Sequence, residues 1–238
     1  MEYEVKILEI IPKQIRKKLL SIGCKKVHNP KIMKRTIYNL CDKSIDGFAR
    51  VRDEGNKVTM TNKIFKNKDF PQENEISINE DFETACVFMD NLGLEKKSYQ
   101  QTIREKWSHP LAHEITIDDI PGIPTYMEID CTSKENLDKL IKLLDIDENK
   151  IRTGTYDKQF DEYYGISKNE FIKIPYITFN NIKKEVTPKK NIELFNKVVS
   201  KYTNSFLKKT KNNIKKNTIK ITRKKCAKGT RKKCIKKN

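Results

Sequence analysis

Charged residues recur at every other position in several stretches that otherwise resemble β-strands. At the start of the chain, Glu2, Glu4 and Lys6 alternate with Tyr3 and Val5. The same spacing recurs in three further pairs, Arg50 with Arg52, Glu73 with Glu75, and Glu128 with Asp130. Alternate residues of a strand project from one face of the sheet. Each stretch therefore predicts a strand whose charges lie on one face.

Segments of helical periodicity separate these strands. Ile15, Leu19 and Ile22 fall on one face of a predicted helix that begins at Pro12 and ends at Gly23. Similar patterns predict helices over 81–94, 133–144 and 156–164, and strands over 2–10, 31–40, 47–52, 57–63, 73–80, 99–107, 113–118 and 126–131. In an open sheet, the charged face of each strand would be either buried or exposed to bulk solvent. We therefore expect an α+β fold, a closed antiparallel β-barrel of about eight strands around a polar tunnel, with amphipathic helices packed outside.

The net charge of +18 is distributed unevenly along the chain. Residues 1–166 carry 27 Lys and Arg against 29 Asp and Glu, whereas residues 167–238 carry 23 against 3. The first segment is long enough for one hydrophobic core and too short for two ordinary domains. We predict a tunnel domain over 1–166 and a strongly basic, partly disordered C-terminal extension over 167–238.

Membrane and disulfide-rich classes do not fit this composition. No stretch approaches the roughly 18 apolar residues of a membrane span, and the chain opens on an acidic strand instead of an apolar signal segment. The six cysteines form no CxxC pair, so we expect reduced thiols, four of them in the core. These features predict a soluble, intracellular, cytoplasmic protein, with a nuclear location through the basic segment as the alternative.

The order of the charged motifs resembles the CYTH superfamily, the triphosphate tunnel metalloenzymes, which include class IV adenylyl cyclases and thiamine triphosphatases. The resemblance covers roughly residues 1–165. It rests first on the ExExK motif of Glu2, Glu4 and Lys6, on the paired Arg50 and Arg52, and on Lys63 at the end of the partner strand. The acidic pair Glu73 and Glu75 and the placement of Arg104 before Trp107 follow in the same order as in the family. The last matching features are the run from Asp118 through a Pro/Gly turn to Glu128 and Asp130, and Tyr156 with Lys158 in the final helix.

This resemblance implies a divalent-metal enzyme acting on a triphosphate, with Mg²⁺ or Mn²⁺ as cofactor, as two ions when substrate is bound. The predicted metal ligands are Glu2, Glu4, Glu75, Asp118, Glu128 and Asp130, because hard cations prefer carboxylate oxygens. The predicted phosphate-binding residues are Lys6, Arg50, Arg52, Lys63, Arg104 and Lys158. Among these residues Glu4, Lys6 and Arg52 are predicted to be catalytic.

Several reactions and roles fit this arrangement. Hydrolysis of an inorganic or organic triphosphate is the primary hypothesis, because it requires only water as the nucleophile. Attack by a ribose hydroxyl on the α-phosphorus would instead produce cyclic AMP, as in a class IV adenylyl cyclase. A third reading is an RNA 5′-triphosphatase, or a nucleic-acid-binding protein whose tunnel only docks a phosphate. Taken singly, each charged pair also fits a solvated strand face.

The C-terminal residues suggest a separate binding function. Residues 201–238 hold 16 Lys and Arg and no Asp or Glu. Such a segment is predicted to bind nucleic acid or another polyanion by counterion release, with little sequence preference. A purely solubilising tail is the competing interpretation. The predicted small-molecule partner is a triphosphate-containing compound.

Overall fold

A computed structural model describes residues 3–65 and 72–202 of the chain. The strands are β1 (Tyr3–Ile7), β2 (Lys25–Tyr38), β3 (Gly47–Asp53), β4 (Val58–Ile64), β5 (Gln72–Ile78), β6 (Lys96–His109), β7 (Ala112–Asp119), β8 (Tyr126–Cys131), β9 (Ile151–Arg152) and β10 (Tyr176–Ile177). The helices are α1 (Pro12–Ser21), α2 (Phe82–Asn91), α3 (Lys134–Leu143), α4 (Asp157–Tyr164), α5 (Lys168–Phe171) and α6 (Ile182–Glu185), with residues 192–202 also helical.

The strands form one large sheet in the order β5-β4-β3-β2-β6-β7-β8-β1-β9, with β10 added beside β6. Neighbouring strands along this order pair antiparallel, and only β10 pairs parallel, at Tyr99 and Gln100. The α+β class and the antiparallel sheet are therefore confirmed. Within residues 3–65 and 72–202, hydrogen bonds do not close the sheet on itself, so the closed barrel stays a prediction.

Two strands are much longer than predicted. β2 and β6 each run for 14 residues and pair with each other across three register shifts. Two of the shifts lie between Lys26 and Lys31, in the first half of β2, and such irregularities break the period of two that marks a one-sided strand. Bulges also bend the strand and increase the local twist of the sheet.

One face of the sheet packs against the helices. Under α2, the apolar residues of β3, Ala49 and Val51, contact Phe82, Cys86 and Met89 of the helix. A second cluster joins α1 and α3 to β1, β7 and β8; its fully buried members include Leu19, Leu140, Ile115, Ile129 and Trp107. The side chains of opposite parity on these strands face away from the helices.

Local sequence signals explain why α1 and α3 form where they do. Pro12 occupies the first turn of α1, where its missing N–H is not needed. Ser133 caps α3, with its hydroxyl accepting a hydrogen bond from the Asn136 N–H at 3.2 Å. Both helices then present an apolar stripe to the same cluster, so both pack against β1 and β8.

Residues beyond the predicted domain boundary belong to the folded core. Phe171, Ile177 and Phe195 pack in one cluster with Ile123 and Phe160. The predicted boundary at residue 166 therefore falls inside a continuous apolar cluster. The basic segment 201–238 lies outside the described residues apart from its first two positions, so its binding role stays a prediction.

Four of the cysteines fall in the described part of the chain, and all four are free thiols. Cys24, Cys86 and Cys131 are buried, but the expectation of four core cysteines is wrong for Cys41, which is exposed in the connection after β2. In the part of the chain that the structure describes, none of the helices has the length and apolar character required to cross a membrane.

Truncation of a buried leucine on α3 should destabilise the packing of this helix against β8, the strand that carries Glu128. Leu140 is completely buried, so Leu140→Ala should lower the free energy of unfolding by about 2–5 kcal/mol. Leu143 lies on the same helix and is 54 % exposed, so Leu143→Ala is the matched control and should change stability by less than about 1 kcal/mol. Urea denaturation of the full chain measures both, and equal losses would contradict the packing described.

Candidate phosphate and metal site

Three arginines converge on the polar face of the sheet. Arg35 of β2 lies directly opposite Arg52 of β3, and Arg50 lies two residues away on the same face of β3. Residues directly opposite in an antiparallel pair project to the same side. We call Arg35, Arg50 and Arg52 the arginine cluster.

The carboxylates around the arginine cluster compensate its charge only in part. Arg50 is 8 % exposed; its guanidinium donates to Thr61 Oγ1 at 3.2 Å and to Glu73 and Glu75 at 3.3 Å each. Burial lowers the pKa of Arg50 to about 10, and the charges of Arg52 and Arg35 add to this shift. A lowered pKa means that the cation is disfavoured, so a bound anion would stabilise this group.

The pKa of Arg52 is lowered as well. Burial lowers its pKa, and repulsion from Arg35 contributes, while Glu54, 3.3 Å from the Arg52 guanidinium, opposes the shift. Lys63, on the adjacent β4, is instead paired with Glu73 at 2.8 Å. The predicted acidic pair Glu73 and Glu75 therefore lies against the cations of β3 and β4 in this structure.

Carboxylates dominate the strands on the other side of β6. Glu4 on β1 lies opposite Asp130 on β8, which in turn lies opposite Glu114 on β7. Two residue pairs along, and so on the same face, Glu128 lies opposite Lys6. We call Glu4, Glu114, Asp118, Glu128 and Asp130 the acidic cluster.

Two cations hold the acidic cluster together. The Lys6 ammonium contacts Glu128 at 3.0 Å and donates a short hydrogen bond to Glu4. Arg104 binds Asp118 through two nitrogens, at 2.9 and 2.6 Å, and also donates to Glu114 at 2.9 Å. Asp118 is 1 % exposed, so this forked contact compensates a fully buried carboxylate.

The pKa shifts of these two cations are opposite in sign to those of Arg50 and Arg52. Burial alone would lower the pKa of Lys6, but Glu128 and Glu4 outweigh it and hold the pKa above its ordinary value. The same competition raises the pKa of Arg104, where Asp118 and Glu128 outweigh burial. The polar face therefore has one half in which arginines are concentrated and one half that is rich in carboxylates.

The two halves are neighbours. Arg104 lies on β6, which pairs with β2 on one side and with β7 on the other. Its charge contributes to the lowered pKa of Arg52. An elongated anion bound by the arginine cluster would therefore extend toward the carboxylates of β7, β8 and β1.

The donor chemistry of the acidic cluster suits a hard divalent cation, since every candidate ligand is a carboxylate oxygen. No group of three or more such side chains is already assembled around a metal position within residues 3–65 and 72–202. Lys6 and Arg104 occupy the space between the carboxylates instead. Mg²⁺ commonly binds through one or two carboxylates together with substrate phosphates, and the arrangement is compatible with that mode.

Two of the predicted site residues, Glu2 and Lys158, are not placed beside either cluster. Glu2 lies outside the described residues. Lys158 lies in the first turn of α4, is exposed, and folds its side chain over Gly154. Their assigned roles stay predictions.

Sequence reasoning missed Arg35 and the residues that hold it. The Arg35 guanidinium donates to Gln100 Oε1 at 2.7 Å and to the Tyr156 hydroxyl at 2.6 Å. The Tyr156 ring packs edge-on against Phe171 at 5.5 Å between centroids. Arg35 sits in a lysine-rich stretch without clear alternation, and only the pairing of β2 with β3 reveals its place. Glu114, beside His113, was missed for the same reason.

Solved structures share this fold at low sequence identity. A conserved hypothetical protein from Pyrococcus furiosus is 19% identical, and the match covers 66% of this chain and 98% of that one at a TM-score of 0.54. A putative adenylate cyclase from Vibrio parahaemolyticus is 14% identical, with 66% and 95% covered and a TM-score of 0.54. A protein from Pyrococcus horikoshii is 20% identical, with 68% and 99% covered and a TM-score of 0.51.

About a third of this chain lies outside each of these matches, although the matched proteins are covered almost completely. No family model and no curated protein sequence matches the chain. The structural likeness is nevertheless what the order of charged motifs predicts. The chain therefore shares the fold of these solved structures, and its alternating charge motifs resemble the CYTH superfamily.

Proposed function

We propose that this chain hydrolyses a triphosphate substrate with the help of a divalent cation. The observation that carries the proposal is the arginine cluster, in which burial and mutual repulsion lower the pKa of Arg50 and Arg52. Like charges held together at a buried position are costly unless an anion compensates them. A triphosphate supplies several negative charges within a short length, beside carboxylates that can hold its cation.

The cations divide into two roles. Arg35, Arg50, Arg52 and Lys63 would hold the phosphate chain, since guanidinium groups bind phosphate oxygens in a forked geometry. Arg104 is already committed to Asp118 and Glu114, so it would orient the carboxylates and add positive charge near the reacting phosphate. Glu73 and Glu75 would be displaced from Arg50 when phosphate enters.

The cation would be held by Glu4, Glu128 and Asp130, with Asp118, Glu75 and the preceding Glu2 as further candidates. A bound Mg²⁺ or Mn²⁺ supplies charge stabilisation and an activated water to phosphoryl transfer. For Lys6, predicted to be catalytic, the proposed role is to donate to a phosphate oxygen. Its raised pKa keeps the ammonium protonated at neutral pH, so it can donate to a phosphate oxygen but cannot act as a base.

The alternative activity is cyclisation of ATP to cyclic AMP. One of the similar structures is named a putative adenylate cyclase, but at 14% identity this likeness supports the fold alone. The same arginine cluster would hold the triphosphate in either reaction. The products differ, because hydrolysis releases phosphate whereas cyclisation releases cyclic AMP and pyrophosphate.

Loss of one cluster arginine should weaken triphosphate binding. Arg52→Gln should raise the Kd for inorganic triphosphate by about 10- to 100-fold, because a charge-assisted contact to phosphate is lost. The exposed Lys139, paired with Glu135 on α3, provides the control Lys139→Gln, which removes one positive charge elsewhere. The measurement is the rise in Tm of the full chain with increasing triphosphate. An equal loss in both variants would show that only the overall charge matters.

Neutralising a carboxylate of the acidic cluster should abolish turnover. Glu4→Gln should lower phosphate release by at least about 100-fold and raise the Mn²⁺ concentration needed for half-maximal activity. Glu135→Gln is the matched control, since Glu4 and Glu135 are both partly exposed carboxylates that pair with a lysine. Phosphate and cyclic AMP are assayed in parallel with inorganic triphosphate, ATP and thiamine triphosphate. Wild-type activity in Glu4→Gln would refute the proposed role of the acidic cluster.

A further inference from the structure

Arg35 differs from the other arginines of the polar face in the chemistry of its partners. Its guanidinium donates to Gln100 Oε1 at 2.7 Å and to the Tyr156 hydroxyl at 2.6 Å. An amide and a phenol orient a guanidinium without neutralising it, whereas Arg50 and Arg104 contact carboxylates. Within the part of the chain that the structure describes, no carboxylate pairs with Arg35. Its charge is therefore oriented but not compensated by its direct partners.

The two partners of Arg35 also hold each other. Gln100 is 8 % exposed and lies directly opposite Arg35 in the pairing of β2 with β6. Its amide nitrogen donates to Ser98 Oγ at 2.7 Å, which fixes which end of the amide faces the arginine. The Tyr156 hydroxyl donates a short hydrogen bond to the same Gln100 oxygen. We call Arg35, Gln100 and Tyr156 the Arg35 network, because each member is hydrogen-bonded to the other two.

Strand β10 supports Gln100 from the far side of β6. β2 occupies one edge of β6 along this stretch, and β7 pairs with the other edge only from Ile103 onward. β10 takes the place beside Tyr99 and Gln100 that β7 does not reach, and it runs parallel to β6 there. The Tyr99 N–H donates to the Pro175 carbonyl at 2.8 Å. The backbone that carries Gln100 is therefore held on both edges.

Helix α5 supports Tyr156. The ring of Phe171 packs edge-on against the Tyr156 ring, with 5.5 Å between the centroids. Phe171 in turn lies 4.9 Å from Phe160 between ring centroids, inside the largest apolar cluster. The residues after position 166 therefore reach the arginine cluster at two points, through β10 at Gln100 and through α5 at Tyr156.

We propose that Gln100 and Tyr156 are positioning residues, which hold the Arg35 guanidinium in one orientation for a phosphate oxygen, and that β10 and α5 contribute to phosphate binding through them. This inference rests on the proposed function. A long side chain that is ordered before the ligand arrives loses little rotamer freedom on binding, so its contact contributes more to the affinity. Neutral partners add this order and leave the charge of Arg35 to the phosphate.

Removal of one hydroxyl tests the positioning role. Tyr156→Phe keeps the ring against Phe171 and should raise the Kd for inorganic triphosphate by about 3- to 10-fold, because Arg35 must then be ordered on binding. The matched control is Tyr164→Phe on α4, which removes a hydroxyl that donates to the Gly122 carbonyl at 2.6 Å. It should leave the Kd unchanged within about twofold. Titration calorimetry of the full chain measures both, and equal losses would overturn the positioning role.

A double-mutant cycle separates action through Arg35 from a general loss of structure. Arg35→Gln removes the group that is positioned, so adding Tyr156→Phe to it should change the Kd by less than about twofold. Full additivity of the two losses would overturn the inference, because Tyr156 would then act independently of Arg35. The basic residues 203–238 are identical in all these variants, so they do not distinguish one from another.

Gln100→Glu tests whether the partner must be neutral. This variant keeps an oxygen opposite Arg35 and adds a negative charge, so an ion pair would compete with phosphate for the guanidinium. The Kd for inorganic triphosphate should rise by about tenfold or more, while the Tm of the free protein stays within a few degrees of wild type. An unchanged or tighter Kd in Gln100→Glu would overturn the claim that the charge of Arg35 is kept for the ligand.

The binding measurements distinguish this inference from the proposed hydrolysis. Weaker binding in Tyr156→Phe, in a chain that turns over no triphosphate, would support the positioning role and refute the hydrolase. Unchanged binding in Arg35→Gln, with binding lost in Arg52→Gln, would overturn the positioning role and leave the hydrolase standing. With turnover, Tyr156→Phe should raise KM and keep kcat within about twofold, since Arg35 holds the phosphate chain in ground and transition states alike. A fall in kcat with KM unchanged would overturn the inference.

Discussion

The pairing of β2 with β3 is the constraint on which the candidate site depends. It brings Arg35 opposite Arg52, with Arg50 beside them, against their mutual repulsion. Burial of the apolar residues on the opposite face of β3 offsets this repulsion, since Val51 is completely buried and packs under α2. The register of a strand cannot slip by one residue without moving its apolar side chains into solvent. The same burial that stabilises the sheet therefore holds three cations in place.

The carboxylate of Glu105 is a second buried charge, and its partners within the protein compensate it fully. Glu105, on the helix side of β6, is 1 % exposed and accepts three contacts from Arg16 at 2.9–3.1 Å and one from the Trp107 indole at 2.9 Å. Lys26 adds an ion pair at 3.3 Å. This network is satisfied by the protein itself and ties α1 to the sheet. In the arginine cluster the partners do not offset burial and like charge, since the pKa of Arg50 and Arg52 stays lowered, and this difference supports the proposal of an anionic ligand.

The sequence predicts what is encoded locally and misses what depends on pairing. The alternation of Glu4 with Lys6 and of Arg50 with Arg52 predicts which side chains share a face, and capping signals predict α1 and α3. Arg35 could not be found this way, because its importance comes from a partner on another strand. The contact between the rings of Phe48 and Phe65 was missed for the same reason, since the two residues are 17 positions apart and meet only through the β3–β4 register.

The central claim is that the arginine cluster and the acidic cluster bind one triphosphate and its cation. A crystal structure of the full chain with Mn²⁺ and a non-hydrolysable triphosphate analogue tests it most directly, because anomalous scattering locates the metal. The account predicts phosphate oxygens on Arg50 and Arg52, with Mn²⁺ held by carboxylates of the acidic cluster that include Glu4 or Glu128. A triphosphate bound only by the basic residues 203–238, with both clusters unchanged, would contradict it.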